Sequence, residues 1–375
     1  MLDQERKAAG MKLRFAKMNP TGNTTLFILD PVPVSEQAKV ALALMDPSVL
    51  GGEQVGFVSL STGGGPPGAG LVPGGPGPGV AALLRMMGGE FCGNAVRALG
   101  AYLAYKRSPG LSWAGDVARG LIQVSGATVP IEFEAQLDRN GLPGRAGCAF
   151  PGPFRVLFYR PSAVLEGALA YEPCSGAGSL PSTWLGVKPG SGRRSAAPEP
   201  EASAEAELTA RVQNSESLAP GEPRRRHSVV AVVHMPGIVH MVLGADDYAP
   251  AEDVLFRLRS AFRLEEEPCV GVMFCSSLGA GGGHGNEDGQ GDVVVPLVHV
   301  PATGTTVWES SCASGAVAVA LARAAARGSP GRFVSRQPGG TLHITIGWDA
   351  RQSAQGTMVH LEGEVRVVAE GEVVV

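Results

Sequence analysis

The chain has 375 residues, enough for two domains of ordinary size. Its formal net charge of −4 offers no general attraction to nucleic acid or an anionic membrane surface, and no apolar run reaches bilayer length. Met1–Gly10 is polar and charged without the apolar region of a secretion signal, so the expected location is cytoplasmic. The 6 cysteines then read as thiols, not as a disulfide framework.

Taken in chain order, Lys12–Phe15 and Thr25–Asp30 are strand-like, joined by the turn-rich Asn19-Pro20-Thr21-Gly22-Asn23. Val34–Leu44 has helical spacing. Gln54–Leu60 and Val80–Met87 are β-like runs on either side of a Gly/Pro/Ala tract, residues 63–79. An apolar helix is expected from Gly93 to about Lys106, followed by strands at Leu121–Ser125, Thr128–Ala135 and Ala146–Phe150.

Arg155–Tyr159 begins a second set. Ser228–His234, Val239–Leu243, Val270–Ser276, Val293–His299 and Thr305–Trp308 read as strands, and Ala251–Phe262 as a helix. Cys312–Arg327 is a second apolar helix. Phe333–Gln337, Thr341–Ile346, Thr357–Leu361 and Glu364–Val368 end the chain in strands. The segment 188–226 is rich in Ser, Ala, Pro, Glu and Arg, and 279–291 is a glycine tract. Both read as surface insertions, the first disordered, because neither has enough apolar surface to bury. Arg224–Arg226 lacks aromatic interleaving or a wider basic patch, and reads as a solvated linker end.

Each half therefore has many strands and one long helix that is apolar most of the way round. Such a helix is buried on all sides. The expected class is α/β (α+β), with a sheet wrapped around one central helix, twice. The expected boundaries are 11–149 plus 357–375 for the first domain and 150–356 for the second.

Two stretches repeat one pattern. Glu90-Phe91-Cys92-Gly93-Asn94-Ala95 and Glu309-Ser310-Ser311-Cys312-Ala313-Ser314-Gly315 each place a cysteine at a helix start, small residues after it and a glutamate before it. A helix N-terminus lowers a thiol's pKa, so both thiols are expected to be activated. Two thiols facing one substrate can work on opposite faces of one carbon. One acts as base and one as acid, which is the equipment of a racemase that needs no cofactor. Free amides near Gly93-Asn94 and Ser314-Gly315 suit an α-carboxylate. Glu309 and a histidine are placed to orient or relay protons. Cys148, Cys174, Cys269 and Cys275 lack this context and read as small buried hydrophobes. No CxxC pair or matching His cluster points to a metal, and neither a phosphate loop nor a GxSxG elbow occurs.

These motifs, Cys-Gly-Asn-Ala and Ser-Cys-Ala-Ser-Gly-Ala-Val-Ala, resemble the two catalytic motifs of the diaminopimelate epimerase superfamily. The likeness extends to Phe15-Ala16-Lys17-Met18, Glu53-Gln54-Val55-Gly56-Phe57, His240, Gln337-Pro338-Gly339-Gly340 and Glu362-Gly363-Glu364-Val365. It implies two pseudo-symmetric domains with the active site between them, and members similar to this chain often pair as homodimers. Diaminopimelate epimerases carry an arginine after the second-motif glutamate, where this chain has Ser310. They also resemble one another in an Asn-Pro pair where this chain has Ile238-Val239, an asparagine where it has Gly271, and an Asn-Ala-Asp-Gly-type turn where it has Met86-Met87-Gly88-Gly89. A distal carboxylate buried without its arginine is heavily penalised. The chain is more similar to the histidine racemases of staphylopine-type metallophore pathways, in Asn19–Thr25, Glu53–Phe57, Gly89–Ala95 and Trp308–Cys312.

That resemblance implies L-histidine as substrate and D-histidine for an opine metallophore as product. It makes Cys92 and Cys312 the catalytic pair, with His240 as the residue that pairs with or orients a thiol. Glu53 becomes the imidazole partner, and Asn23, Gln54 and Asn94 the polar groups that position substrate. Racemases for another amino acid, of diaminopimelate or proline type, and a non-catalytic thiol redox module remain as alternatives.

Overall fold

The computed structural model describes residues 11–61, 79–165, 168–173, 230–244, 250–275, 291–301, 304–348 and 357–375. Of the three composition-biased segments, 63–79 and 279–291 lie outside these except for Gly79 and Gly291. The segment 188–226, with Arg224–Arg226, lies outside entirely, as does Cys174.

The first half contains β1 (Lys12–Pro20), β2 (Thr25–Ile28), α1 (Val34–Met45), β3 (Gln54–Leu60), β4 (Ala82–Met86), α2 (Gly93–Tyr105), β5 (Ser112–Ala114), β6 (Val117–Val124), β7 (Ile131–Leu137) and β8 (Pro143–Phe150). The second contains β9 (Arg155–Leu165), β10 (Ala168–Pro173), β11 (Val230–Met235), β12 (Ile238–Gly244), α3 (Glu252–Ala261), β13 (Val270–Cys275), β14 (Asp292–Val300), β15 (Thr305–Trp308), α4 (Ala313–Arg327), β16 (Gly331–Gln337) and β17 (Gly340–Trp348). The final strand, β18 (Thr357–Val374), serves both.

In the first half the pairings run β1–β2–β3–β4–β6–β7–β8–β18 and return to β1, a closed ring. Closure leaves no exposed edge. In the second half they run β9–β11–β12–β13–β14–β16–β17–β18. Parallel neighbours require a crossover, and the crossovers match between halves. An outer helix joins β2 to β3 and β12 to β13, while the central helix lies between β4 and β6 and between β14 and β16.

Each central helix is buried along nearly its whole length. Ala95–Ala104 of α2 packs against the first barrel's inner face, and Ala316–Leu321 of α4 against the second's. Alanine and glycine on these helices let the strands approach closely on every side. Leu99, Leu103 and Leu321 supply the larger apolar groups, each worth about 1.5–3 kcal/mol on burial. Separate clusters seal α1 and α3 outside the sheets. The expected α/β class, a sheet around a central helix in each half, is the observed one.

Three sequence expectations need correction. β1 continues through Pro20, past the expected end at Phe15, because its second part pairs with both β18 and β2. The short strands β5 and β10 were not read from the sequence. Thr357–Leu361 and Glu364–Val368 are one strand of 18 residues, not two. Gly363 does not break it. A Cβ there would meet Thr21 Oγ1 at 2.7 Å and Arg97 Nη1 at 2.9 Å, so the glycine serves close approach. This strand pairs with β17 and β8 and then with β1, tying the barrels together. Among the described residues, no helix is long and apolar enough to cross a membrane.

Candidate active site

The two central helices meet end to end. A Cβ on Gly93 would lie 3.3 Å from that of Ala313. Asn94 Nδ2 donates across the junction to the Ser311 carbonyl at 2.9 Å, and Arg97 Nη2 donates to Asn94 Oδ1 at 2.7 Å. Both ends of the Asn94 amide are thus occupied by protein, and its side chain is 2% exposed. Asn94 thereby ties the two barrels together.

Cys92 and Cys312 occupy equivalent positions as N-caps of α2 and α4, in extended backbone. Ala95 N–H donates to Cys92 Sγ at 3.4 Å, and Gly315 N–H to Cys312 Sγ at 3.4 Å. A capping side chain ordinarily accepts from these positions, and here a sulfur replaces the usual oxygen.

The expected lowering of the thiol pKa is overturned. Burial pushes Cys92 up to about 12, and the fields of Glu90 and Glu309 add to it against the Ala95 amide. Burial also raises Cys312 well above its ordinary value, reinforced by Glu309 and opposed by Ser314 and Gly315. Desolvation of an anion outweighs the partial charge of a helix end. At neutral pH both thiols therefore hold their protons.

Around Cys312, the Glu309 carboxylate is near enough to raise the thiol. Burial pushes the Glu309 carboxyl up to about 7, helped by Glu53 and Glu90 and opposed by Cys312. Ser314 Oγ lies 3.5 Å from Cys312 Sγ and 2.8 Å from His240 Nε2. His240 is wholly buried, and burial pushes its imidazole down to about 3, so it is neutral. It reaches Cys312 through Ser314 and does not pair with a thiol directly. Gly271 is required beside it, since a Cβ there would strike His240 Nδ1. An asparagine at that position has no room.

Around Cys92, the thiol donates to Gln54 Oε1 at 3.0 Å, and Gln54 Nε2 donates to Asn23 Oδ1. Asn23 Nδ2 donates to Glu53 Oε2 at 2.6 Å. Ser310, on the loop before Cys312, donates to Glu53 through its hydroxyl and its N–H. Burial raises Glu53, and these donors oppose it. The residue that replaces an arginine in diaminopimelate epimerases thus secures a carboxylate. Glu53, Glu90 and Glu309 lie near enough for Glu53 and Glu90 to raise the Glu309 carboxyl, which gathers three acidic groups about the junction.

Sequence reasoning gave Gln337 no role, yet it grips the Cys312 peptide. Cys312 N–H donates to Gln337 Oε1 at 2.6 Å, and Gln337 Nε2 donates to Cys312 O at 3.1 Å. The signal was present: Phe333, Ser335 and Gln337 alternate on the buried face of one strand, and a buried amide needs partners. Cys269, read from the sequence as a core hydrophobe, is half-buried against the second core and pushed up to about 12, first by burial and then by Glu309 and Glu90. Cys148 and Cys275 are buried.

The fold resembles solved structures at low sequence identity. A hydroxyproline epimerase from Agrobacterium vitis, solved with bound trans-4-hydroxy-L-proline, has a TM-score of 0.52 and 12% identity, over 97% of this chain and 93% of that one. A probable proline racemase from Agrobacterium radiobacter K84 has a TM-score of 0.52 and 9% identity, over 96% and 92%. A PhzF-family phenazine biosynthesis protein from Bacillus anthracis has a TM-score of 0.51 and 12% identity, over 97% and 100%. These share the architecture.

In sequence, histidine racemases from two strains of Fusobacterium nucleatum subsp. nucleatum are 35% and 33% identical over 96 residues, 25% of this chain. The matched stretch spans 28% of those relatives' own length. The family model described as the histidine racemase CntK N-terminal domain matches residues 12–151 and 207–374, most of the chain. By that match, the chain belongs to the histidine racemase CntK N-terminal domain family.

Proposed function

We propose that this protein is an amino-acid racemase that interconverts L- and D-histidine by two-base proton transfer between Cys92 and Cys312. The observation that carries the reading is the junction itself. Two barrels bring two N-capping cysteines, each with a helix amide on its sulfur, to the junction where α2 and α4 meet. Inverting a carbon requires a base on one face and an acid on the other. The reaction moves only protons, and a stabilised carbanion replaces a cofactor's electron sink. The amides of Asn94 and Ala95 are directed at Cys92. Those of Gly93 and Ser314, also in the first turns of the helices, hold the α-carboxylate.

Histidine fits the acidic lining. Glu53 is anchored by Asn23 and Ser310 and keeps lone pairs to accept an imidazole N–H. A substrate with a distal carboxylate would meet Glu53, Glu90 and Glu309 with Ser310 in place of an arginine, which disfavours the diaminopimelate alternative. The likeness to racemases of opine metallophore pathways supports D-histidine as the product passed on for condensation into a metal-binding opine.

The test is a screen of free amino acids in deuterated water, following α-proton loss by NMR and configuration by chiral chromatography. Histidine exchanges and racemises on this reading. Exchange confined to another amino acid would refute the histidine assignment.

A further inference from the structure

We propose that Arg97 is a positioning residue for the proton transfers: through Asn94 and Thr21, its buried guanidinium fixes the loop that carries Cys312 relative to Cys92. This rests on the racemase reading above and adds to it a residue that works only through its neighbours.

Arg97 lies on α2, the helix that Cys92 caps, and is wholly buried. Its Nη2 donates to Asn94 Oδ1 at 2.7 Å and to Thr21 Oγ1 at 3.4 Å, and its Nη1 donates to Ala146 O at 3.4 Å. Among the described residues its Nε has no partner. None of the three acceptors is a carboxylate. Burial pushes the guanidinium down to about 10, so it is still a cation at neutral pH. A buried cation without an ion pair is costly, and an apolar residue at a purely structural position would avoid that cost. The fold nevertheless makes room for it. Gly363, on the strand that ties the barrels, is where a Cβ would meet Arg97 Nη1 at 2.9 Å.

Two routes lead from this cation to the second barrel. The first is Asn94. A guanidinium only donates, so it turns the Asn94 oxygen toward itself and the Asn94 NH₂ toward α4. That NH₂ donates to the carbonyl of Ser311, the residue directly before Cys312, at 2.9 Å. The polarity has one solution. A reversed amide would set its NH₂ against the guanidinium and its oxygen against the Ser311 carbonyl. The second route is Thr21, which accepts from Arg97 and donates to the Glu364 carbonyl at 3.0 Å. Its φ of 57° is in the left-handed region, which a β-branched residue rarely adopts, so these contacts hold it against strain. The next residue, Gly22, packs on Gly339 so closely that a Cβ would strike it. Gly339 N–H in turn donates to the Ser310 carbonyl at 2.7 Å.

Both routes start at Arg97 and end on Ser310-Ser311, which leads into Cys312. Cys92 caps the helix on which Arg97 lies, so the guanidinium refers one cysteine's place to the other's. The reaction is sensitive to that relation in a particular way. Exchange of the α-proton with retention needs one thiol on one face. Inversion needs both thiols aligned on opposite faces of the same carbon. A misplacement of about 1 Å costs on the order of a hundredfold in rate. Loss of Arg97 therefore falls on inversion more than on exchange.

The experiment compares wild type with Arg97→Met, each confirmed folded by circular dichroism, on L-histidine in deuterated water. Two initial rates are read: deuterium entering L-histidine with retention, and D-histidine formed. The ratio of exchange to inversion is expected to rise at least about tenfold in Arg97→Met. A role confined to stability lowers both rates together through the folded fraction. An unchanged ratio therefore overturns the proposal. Should Arg97→Met fail to fold, Arg97→Lys is read in the same way, because a single ammonium does not reproduce the fork that serves both Asn94 and Thr21. A crystal structure of the folded variant supplies a readout that needs no substrate. The bond from Asn94 to the Ser311 carbonyl is expected to be lost, and its retention overturns the proposal. Wild type that leaves histidine untouched defeats the substrate reading instead, and the crystal structure then decides the role of Arg97.

Discussion

Gln337 holds Cys312 from both sides of its backbone, accepting from its N–H at 2.6 Å and donating to its carbonyl at 3.1 Å. A third bond, from Gln337 Nε2 to Ser335 Oγ at 3.1 Å, fixes the amide's orientation. The cysteine's place at the head of α4 is therefore set from the neighbouring strand as well as by the helix.

Gln337→Leu leaves the buried Cys312 N–H unpaired and removes one of two donors from its carbonyl, which keeps the Ala316 N–H at 3.0 Å. The expected loss is about 2 kcal/mol in urea unfolding. Turnover should fall further than that stability loss explains, with kcat reduced more than KM changes, because the sulfur is displaced while the substrate contacts remain. Unchanged kcat would show that this grip does not position Cys312.

Asn94 spans the two helix ends, held by Arg97 on one side and by the Ser311 carbonyl on the other. Asn94→Ala leaves the wholly buried Arg97 guanidinium with its weaker contacts to Ala146 O and Thr21 Oγ1, both at 3.4 Å. The expected cost is about 1–3 kcal/mol. Hydrogen exchange should rise at the first turns of both α2 and α4. A rise confined to α2 would contradict the role of Asn94 as a tie between barrels.

Two buried groups give opposing pH dependences. Glu309 is pushed up to about 7, mainly by burial, so its contribution to stability is full below its ordinary value of 4.5 and lost as pH rises through about 7. His240 is pushed down to about 3 by burial, so its contribution is full above its ordinary 6.5 and lost as pH falls. Between these ranges the slopes oppose in the wild type, and the variants separate them. Relative to wild type, Glu309→Gln should gain stability from about pH 5 to about pH 8, on the order of 3 kcal/mol at one pKa unit per ~1.4 kcal/mol. His240→Gln should lose less than wild type on acidification below about pH 6. Urea midpoints across this range check both signs. Parallel curves for wild type and Glu309→Gln would contradict the raised carboxyl.

Much of this site was legible in the sequence. The paired Glu-Cys-small patterns marked both helix starts, because a cap position has a recognisable composition. The all-round apolarity of Ala316–Ala326 marked a helix enclosed by its sheet. Other features depended on long-range contacts. The passage of β18 through Gly363 depends on Thr21 and Arg97 packed against it, neither of which is near it in sequence. The thiol pKa was read with the wrong sign, because local sequence shows the helix amides but not the burial or the converging carboxylates. Gln337 lay in a quoted motif without a role, since its partner is distant in the chain and reached only through the fold.

Both cysteines lie within the field of the same Glu309 carboxylate. Mild oxidation with diamide should join them, abolishing activity with recovery on adding a reductant. Peptide mapping should identify a Cys92–Cys312 bridge. Full activity after oxidation would count against thiols that face one substrate.

The most direct measurement of the central claim is D-histidine formation from L-histidine, by chiral chromatography, for wild type, Cys92→Ser and Cys312→Ser, each confirmed folded by circular dichroism. The two-thiol account expects racemisation by wild type and a fall of at least about a hundredfold in each single variant. Wild-type rates of inversion in either variant would contradict it.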